Sequence, residues 1–178
     1  MDIIEPTVED MLARTARFRH VKPSSQAFVD TRIPEYQRDI YNIIVRGVTE
    51  DANLAPAITD ARYFGITYVG ADPGKGAALH AHETIEVFIP LTGRWAACWG
   101  ADGAKEIELD PFDCISFPPG VYRGFRNIGD EHAILMAIIG SKAETEDGGR
   151  VDWAPAVLEE SHRTGLRVNA EGDLEESS

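Results

Sequence analysis

The chain's most chemically loaded stretch is His80-Ala81-His82-Glu83-Thr84-Ile85-Glu86. Read as one extended strand, its side chains alternate with period two, which sends His80, His82 and Glu86 to a single face. Two imidazoles and a carboxylate converging from one strand make a chelate for a divalent transition metal and leave coordination positions open. That donor set suits non-haem iron, and also Mn, Ni or Zn. A bare His-x-His has a plainer reading, two histidines alternating on a solvent-facing strand. The carboxylate at Glu86 and the apolar character of the opposite face favour the metal.

The elements that must carry these residues are mostly short β-runs. Residues 6–19 read as a helix, with Thr7 as cap, Asp10 three positions on, and Val8, Met11, Leu12 and Phe18 near helical spacing. Residues 20–60 are interrupted by Pro23, Pro34 and Pro56, and the apolar Ile40–Val45 fits strand or helix. From Ala61 onward, ARYFGITYV, TIEVFIPLTG, GRWAACWGADG, KEIEL, DCISFPPG, RGFRN and HAILMAIIG follow one another, with Gly, Asp and Pro at the breaks. Short strands at this spacing predict an all-β sandwich or barrel. WAPAVLEESHRTG then predicts a terminal helix, with Pro155 in its first turn and Gly165 as its stop. The last residues, EGDLEESS, should fray. Between Thr84 and Thr92 both strand faces are apolar, which calls for cover on both sides. The N-terminal 60 residues and a second subunit are the expected cover, and a homodimer would also hide the sheet edge.

Residues 61–140 resemble the cupin superfamily. The first cupin motif runs Gly, five residues, His-x-His, three or four residues, Glu, six residues, Gly; Gly74, His80, His82, Glu86 and Gly93 keep every spacing. In the second motif Pro118, Gly120 and Asn127 are in register within FPPGVYRGFRN. The resemblance implies a mainly β fold, the double-stranded β-helix or jelly-roll-like barrel, with the site inside it. Around that barrel, residues 1–60 form an N-terminal extension with a helix, packing on the barrel or a dimer partner, and 141–178 a C-terminal helix and acidic tail. Phe112 stands where the family usually has glycine. Arg123 stands where it usually has a histidine that serves as the fourth metal ligand. Arginine keeps its proton and has no lone pair for a metal, so the four-ligand site does not carry over intact.

Two readings of Arg123 follow. Either it pairs with Glu86 in a metal-free barrel that binds a small anionic molecule without catalysis, or the metal stays on His80, His82 and Glu86 while Arg123 anchors an anionic substrate. Phe88 and Phe125 share the strand parity of Glu86 and Arg123 and are expected to wall the substrate site. The second reading gives a metal-dependent enzyme, a dioxygenase or a Lewis-acid isomerase, cyclase or lyase, with no catalytic residue assigned. His20, His132 and His162 are the other histidines, and no spacing argument selects one as a replacement ligand. GADPGKG lacks the spacing and following helix of a phosphate loop.

The bulk properties narrow the remaining classes. The 178 residues are 43% hydrophobic and 26% charged, which suits one compact domain with extensions and excludes wholesale disorder. No apolar run is long enough to span a membrane, and MDIIEPTVED has no apolar core of a secretory signal. Cys98 and Cys114 are expected to be reduced core thiols of a cytoplasmic protein. Of the net charge of −13, the segment from Glu144 onward contributes −7, ten acidic residues against Arg150, Arg163 and Arg167, leaving −6 for the rest. No basic stripe for nucleic acid is present.

Overall fold

The computed structural model describes residues 3–142 and 148–177. Two five-stranded antiparallel sheets pack face to face. The first contains β1 (Asp39–Ile44), β2 (Phe64–Ala71), β4 (Glu86–Pro90), β7 (Ile115–Phe117) and β9 (Ala133–Gly140), in the order β1-β2-β9-β4-β7. The second contains β3 (Gly76–Ala81), β5 (Trp95–Trp99), β6 (Lys105–Leu109), β8 (Arg123–Asn127) and β10 (Asp152–Trp153), in the order β10-β3-β8-β5-β6. This is the mainly β, double-stranded β-helix architecture. Residues from both flanking segments add an edge strand, β1 to one sheet and β10 to the other.

The alternation within each strand explains the core. Val69, Phe88, Phe117, Leu135 and Ala137 from the first sheet meet Ala77, Trp95, Ala97 and Phe125 from the second. Phe125 packs edge-on to Phe88 at 5.0 Å and to Trp95 at 5.8 Å, bridging the sheets. Gly76 lets β3 approach β8 closely: a Cβ there would lie 1.8 Å from the Phe125 carbonyl oxygen. The Asn127 side chain donates to the carbonyls of Ala71 and Glu131 and so ties turns together.

Several sequence expectations change. The N-terminal helix α1 covers only Val8–Ala13, with the Thr7–Asp10 capping box formed, and Phe18–His20 is a separate 3₁₀ turn. Val8, Met11 and Leu12 stay exposed, so no apolar burial sustains a longer helix. Ile40–Val45 resolves mainly as strand β1. The terminal helix α2 (Pro155–Arg163) starts at Pro155, and Gly165 follows it with φ +84°. Beyond it the tail does not fray through its described residues. β11 (Leu166–Val168) and β12 (Leu174–Glu176) form a hairpin, held by Arg167 on Glu175 at 2.7 Å and by Arg32 on Glu176. Acidic residues of the tail are here partners of arginines, Glu175 of the nearby Arg167, Glu176 and Asp173 of the distant Arg32 and Arg46. The cysteines are free, but Cys114 is exposed and Cys98 only half-buried, so neither is a core thiol.

A second small core lies outside the barrel, where Val29, Ala78, Trp153 and Leu166 meet side chains of α2. It fastens the N- and C-terminal segments to β3. On the first sheet, the outer face carries two registered rows, Tyr41-Tyr68-Met136-Ile89 and Ile44-Ile66-Ile138-Val87, all only half-buried. Phe18 covers one corner, stacking at 4.9 Å on Tyr41 and 5.8 Å on Tyr68.

Candidate functional site

His80 sits near the end of β3, opposite Arg123 on β8 and Trp153 on β10, just beyond an irregularity in the β3–β8 register. β3 ends at Ala81, so His82 lies past the strand, and Glu86 opens β4 in the other sheet. The expected single strand from His80 to Glu86 is therefore broken. The chain crosses between the sheets at residues 82–85, and the fold brings the three side chains together, not strand periodicity. The crossing is pinned at both ends: Gly120, at φ +76°, donates its N–H to the His82 carbonyl at 2.9 Å, and Gly140 donates to the Ile85 carbonyl at 2.9 Å.

The three residues are buried, and their candidate ligand atoms all lie within 4.8 Å of one another. His80 Nε2 and His82 Nε2 stand 3.8 Å and 3.7 Å from Glu86 Oε2. His80 Nδ1 is 2.7 Å from the Ala78 carbonyl and His82 Nδ1 3.3 Å from the Arg150 carbonyl. A carbonyl can only accept, so each Nδ1 carries the hydrogen and each Nε2 presents a lone pair to the centre. Bonds of about 2.1 Å would need donors roughly 3.0–3.4 Å apart, so each histidine would close on Glu86 by about half an ångström around a metal. The residues fit such an ion.

Electrostatics agrees with that role. Burial lowers the His82 pKa to about 3, outweighing the pull of Glu86, so its ring is neutral at neutral pH. Burial pushes Glu86 the other way, but His82, His80 and Arg123 together hold it down to about 2. Arg123 is fully buried and donates from Nε to Glu86 Oε2 at 2.8 Å and from Nη1 to the Val121 carbonyl at 3.0 Å. Its Nη2 is buried without a partner.

Above the three residues lies a small cavity of about 40 Å³. Phe125 belongs to its wall; Phe88 packs behind Phe125, against Phe117 at 5.4 Å. Six of its fifteen lining residues come from outside the barrel motif: Phe28, Arg38, Ile40 and Val48 from the N-terminal segment, Val151 and Trp153 from the C-terminal one. Val48, Val151 and Trp153 also line a wide surface cleft, so they separate the cavity from solvent. The Trp153 ring lies 5.4 Å from His80, and its Nε1 donates to Glu50 Oε1 at 2.8 Å. Glu50 is buried and also accepts from the Val29 N–H at 2.7 Å; burial raises its pKa to about 7 despite both hydrogen bonds.

Arg38, Trp153 and Glu50 were missed from sequence, since each lies outside the motif spacings and in no periodic pattern. The three remaining histidines join nothing here. His132 pairs with Asp72 at 2.9 Å on the surface, and His20 and His162 are exposed.

Residues 67–139 match a family model described as the cupin domain. Among solved structures, a putative sugar phosphate isomerase from Acidithiobacillus ferrooxidans is similar at 18% identity and TM-score 0.53, with 72% of this chain and 76% of that chain covered. A cupin 2 domain-containing protein from Halorhodospira halophila is similar at 17% identity and TM-score 0.51, covering 71% and 77%. An RmlC-like cupin from Shewanella frigidimarina is similar at 14% identity and TM-score 0.50, covering 72% and 91%. No curated protein matches the chain. At these identities the likeness concerns the fold.

Proposed function

Because residues 67–139 of this chain form a domain of the cupin superfamily, we propose that it is a metal-dependent cupin enzyme acting on a small anionic organic substrate. The observation that carries this reading is the pair of histidines whose Nδ1 hydrogens are tied to carbonyls and whose Nε2 lone pairs face Glu86. Fe, Mn, Ni or Zn held there would supply open coordination positions for oxygenase chemistry or for Lewis-acid isomerase, cyclase or lyase chemistry. His80, His82 and Glu86 would hold the ion. Arg123, which lies behind the lining residues, keeps Glu86 ionised, and its unpartnered Nη2 is the group an anionic substrate would reach, while Phe125, backed by Phe88, keeps water from one side of the cavity. Trp153 and Val48 do the same at the mouth.

A second reading has its own support, the 2.8 Å ion pair between Arg123 and Glu86. In it the barrel binds a small anion without metal or catalysis. Elemental analysis of protein purified without a His-tag or chelator separates the two. Near-stoichiometric metal that disappears in His82→Ala is the expected result. Metal-free protein that also refuses added metal overturns the metalloenzyme and leaves the binder.

The half-buried rows on the outer face of the first sheet support a homodimer formed through that face. Light scattering should give twice the 19.6 kDa chain mass, and Ile138→Lys should give the monomer. A monomeric wild type would remove this proposal. Two unpaired cysteines, one of them exposed, suit a reducing compartment such as the cytoplasm. Among the described residues no helix is long and apolar enough to cross a membrane.

A further inference from the structure

Arg38 is the cavity residue whose chemistry is least accounted for by the fold. It precedes β1, yet its side chain runs inward and is 2% exposed, beside His80, His82 and Glu86 in the cavity wall. Nη1 is committed to Asp30, to the Tyr36 carbonyl at 2.8 Å and to the Gly76 carbonyl at 3.2 Å. Nε is buried and has no partner. Buried donors are nearly always satisfied, so an unpaired guanidinium N–H beside a cavity marks the place of a missing acceptor.

Size and charge narrow that acceptor. A cavity of about 40 Å³ has room for about three water-sized groups, which favours a ligand of a few heavy atoms over aromatic acids, sugars and longer chains. Arg123 is offset by Glu86, and Arg38 by Asp30 at 2.9 Å. A divalent ion on the histidines therefore brings positive charge that neither of these pairs cancels. A carboxylate gives the unpaired N–H an acceptor and offsets part of that charge, and a guanidinium matches its geometry better than an ammonium would.

We infer that Arg38 is the residue that fixes the ligand, and that the ligand class is a carboxylate of one or two carbons. The inference rests on the proposed reading of this cavity as the anion site. It moves specificity from the barrel motif to the N-terminal segment.

The test uses sodium acetate, with acetamide as its neutral counterpart and butyrate as a longer one, titrated calorimetrically into the full chain. Metal content is measured on the same samples, metal-loaded and chelator-treated. Acetate is expected to bind saturably, acetamide and butyrate at least tenfold more weakly. Arg38→Gln should weaken acetate at least tenfold and leave acetamide unchanged. Because Arg38→Gln strands Asp30, the double variant Asp30→Asn/Arg38→Gln is the folding control, and it should lose acetate selectivity while keeping a cooperative melt. A purely structural role for Arg38 would leave the acetate-to-acetamide ratio unchanged in the folded variants. That result overturns the inference, as does wild-type protein that binds no acetate or binds butyrate equally well. Metal content separates the two claims. Bound metal with acetate affinity indifferent to Arg38 sinks only this inference. Absent metal with Arg38-dependent acetate binding sinks only the metalloenzyme.

Discussion

Arg123–Glu86 and Arg38–Asp30 are both buried ion pairs beside one cavity, and they are built on opposite plans. Arg123 reaches across the barrel, from a strand of the second sheet to a carboxylate that opens a strand of the first. Its partner is also one of the three residues that could hold a metal. Arg38 pairs with a residue eight positions away in the same segment, and together they clamp that segment to β3. Asp30 accepts the Ala78 N–H at 3.0 Å, and Arg38 donates to the Gly76 carbonyl. The lesson is that equal burial does not mean equal function. A cation can take over the charge that Arg123 supplies to Glu86, but no ion can replace the bridge that Arg38 makes.

The largest expected effect tests that difference directly. Arg123→Ala and Arg38→Ala each leave a carboxylate buried and uncompensated, at a cost of about 3–5 kcal/mol. Denaturant unfolding with and without excess Zn or Mn should show Arg123→Ala regaining much of its loss with metal. Arg38→Ala should regain no more than wild type gains, since its stranded Asp30 is not a donor of the site. Equal rescue of both variants would erase the distinction.

Next comes pH, measured as thermal stability of the metal-free protein. Glu50 has its folded pKa raised to about 7 from 4.5, so its contribution is complete below 4.5 and lost as pH rises through 7, on the order of 3 kcal/mol. His82 has its folded pKa lowered to about 3 from 6.5, so its contribution is present above 6.5 and lost as pH falls through 3. Glu86, lowered to about 2, loses its contribution below 4.5 as well. Between 4.5 and 6.5 the slopes of Glu50 and His82 oppose each other. A plateau there, a steep fall below 4.5 and a shallow one of under about 1 kcal/mol between 6.5 and 7 make the expected profile. Glu50→Gln should abolish the alkaline fall. Arg38→Gln should move it to higher pH, because Arg38 is one of the charges holding Glu50 down. An alkaline limb unchanged in Arg38→Gln would separate that arginine from Glu50.

The smallest effect lies outside both pairs. Phe112 is exposed and held at φ +73°, a left-handed conformation that glycine adopts freely. Phe112→Gly should therefore stabilise the protein by about 1 kcal/mol, equally with and without metal. A metal-dependent gain would show that this turn senses the site.

The strands from Phe64 to Gly140 and the donors His80, His82 and Glu86 were legible because alternation, turn residues and motif spacing are local properties of the chain. Even the glycine position occupied by Phe112 was legible, and its positive φ supplies the reason. The route to the site was not. Strand parity put three side chains on one strand, whereas the crossing between sheets at residues 82–85 brings them together. Nor did any local pattern mark Arg38, Glu50 or Trp153.

What the sequence by itself determined is the barrel and its candidate metal ligands, because each is written in residue types at short, fixed separations. What only the tertiary structure decided is the company those donors keep. Arg123 settles on Glu86, Trp153 lies against His80, Arg38 enters the cavity, and the acidic tail folds back onto arginines far away in the chain. Those contacts join residues tens to more than a hundred positions apart, and closing such loops depends on the whole packed core, which no local pattern encodes.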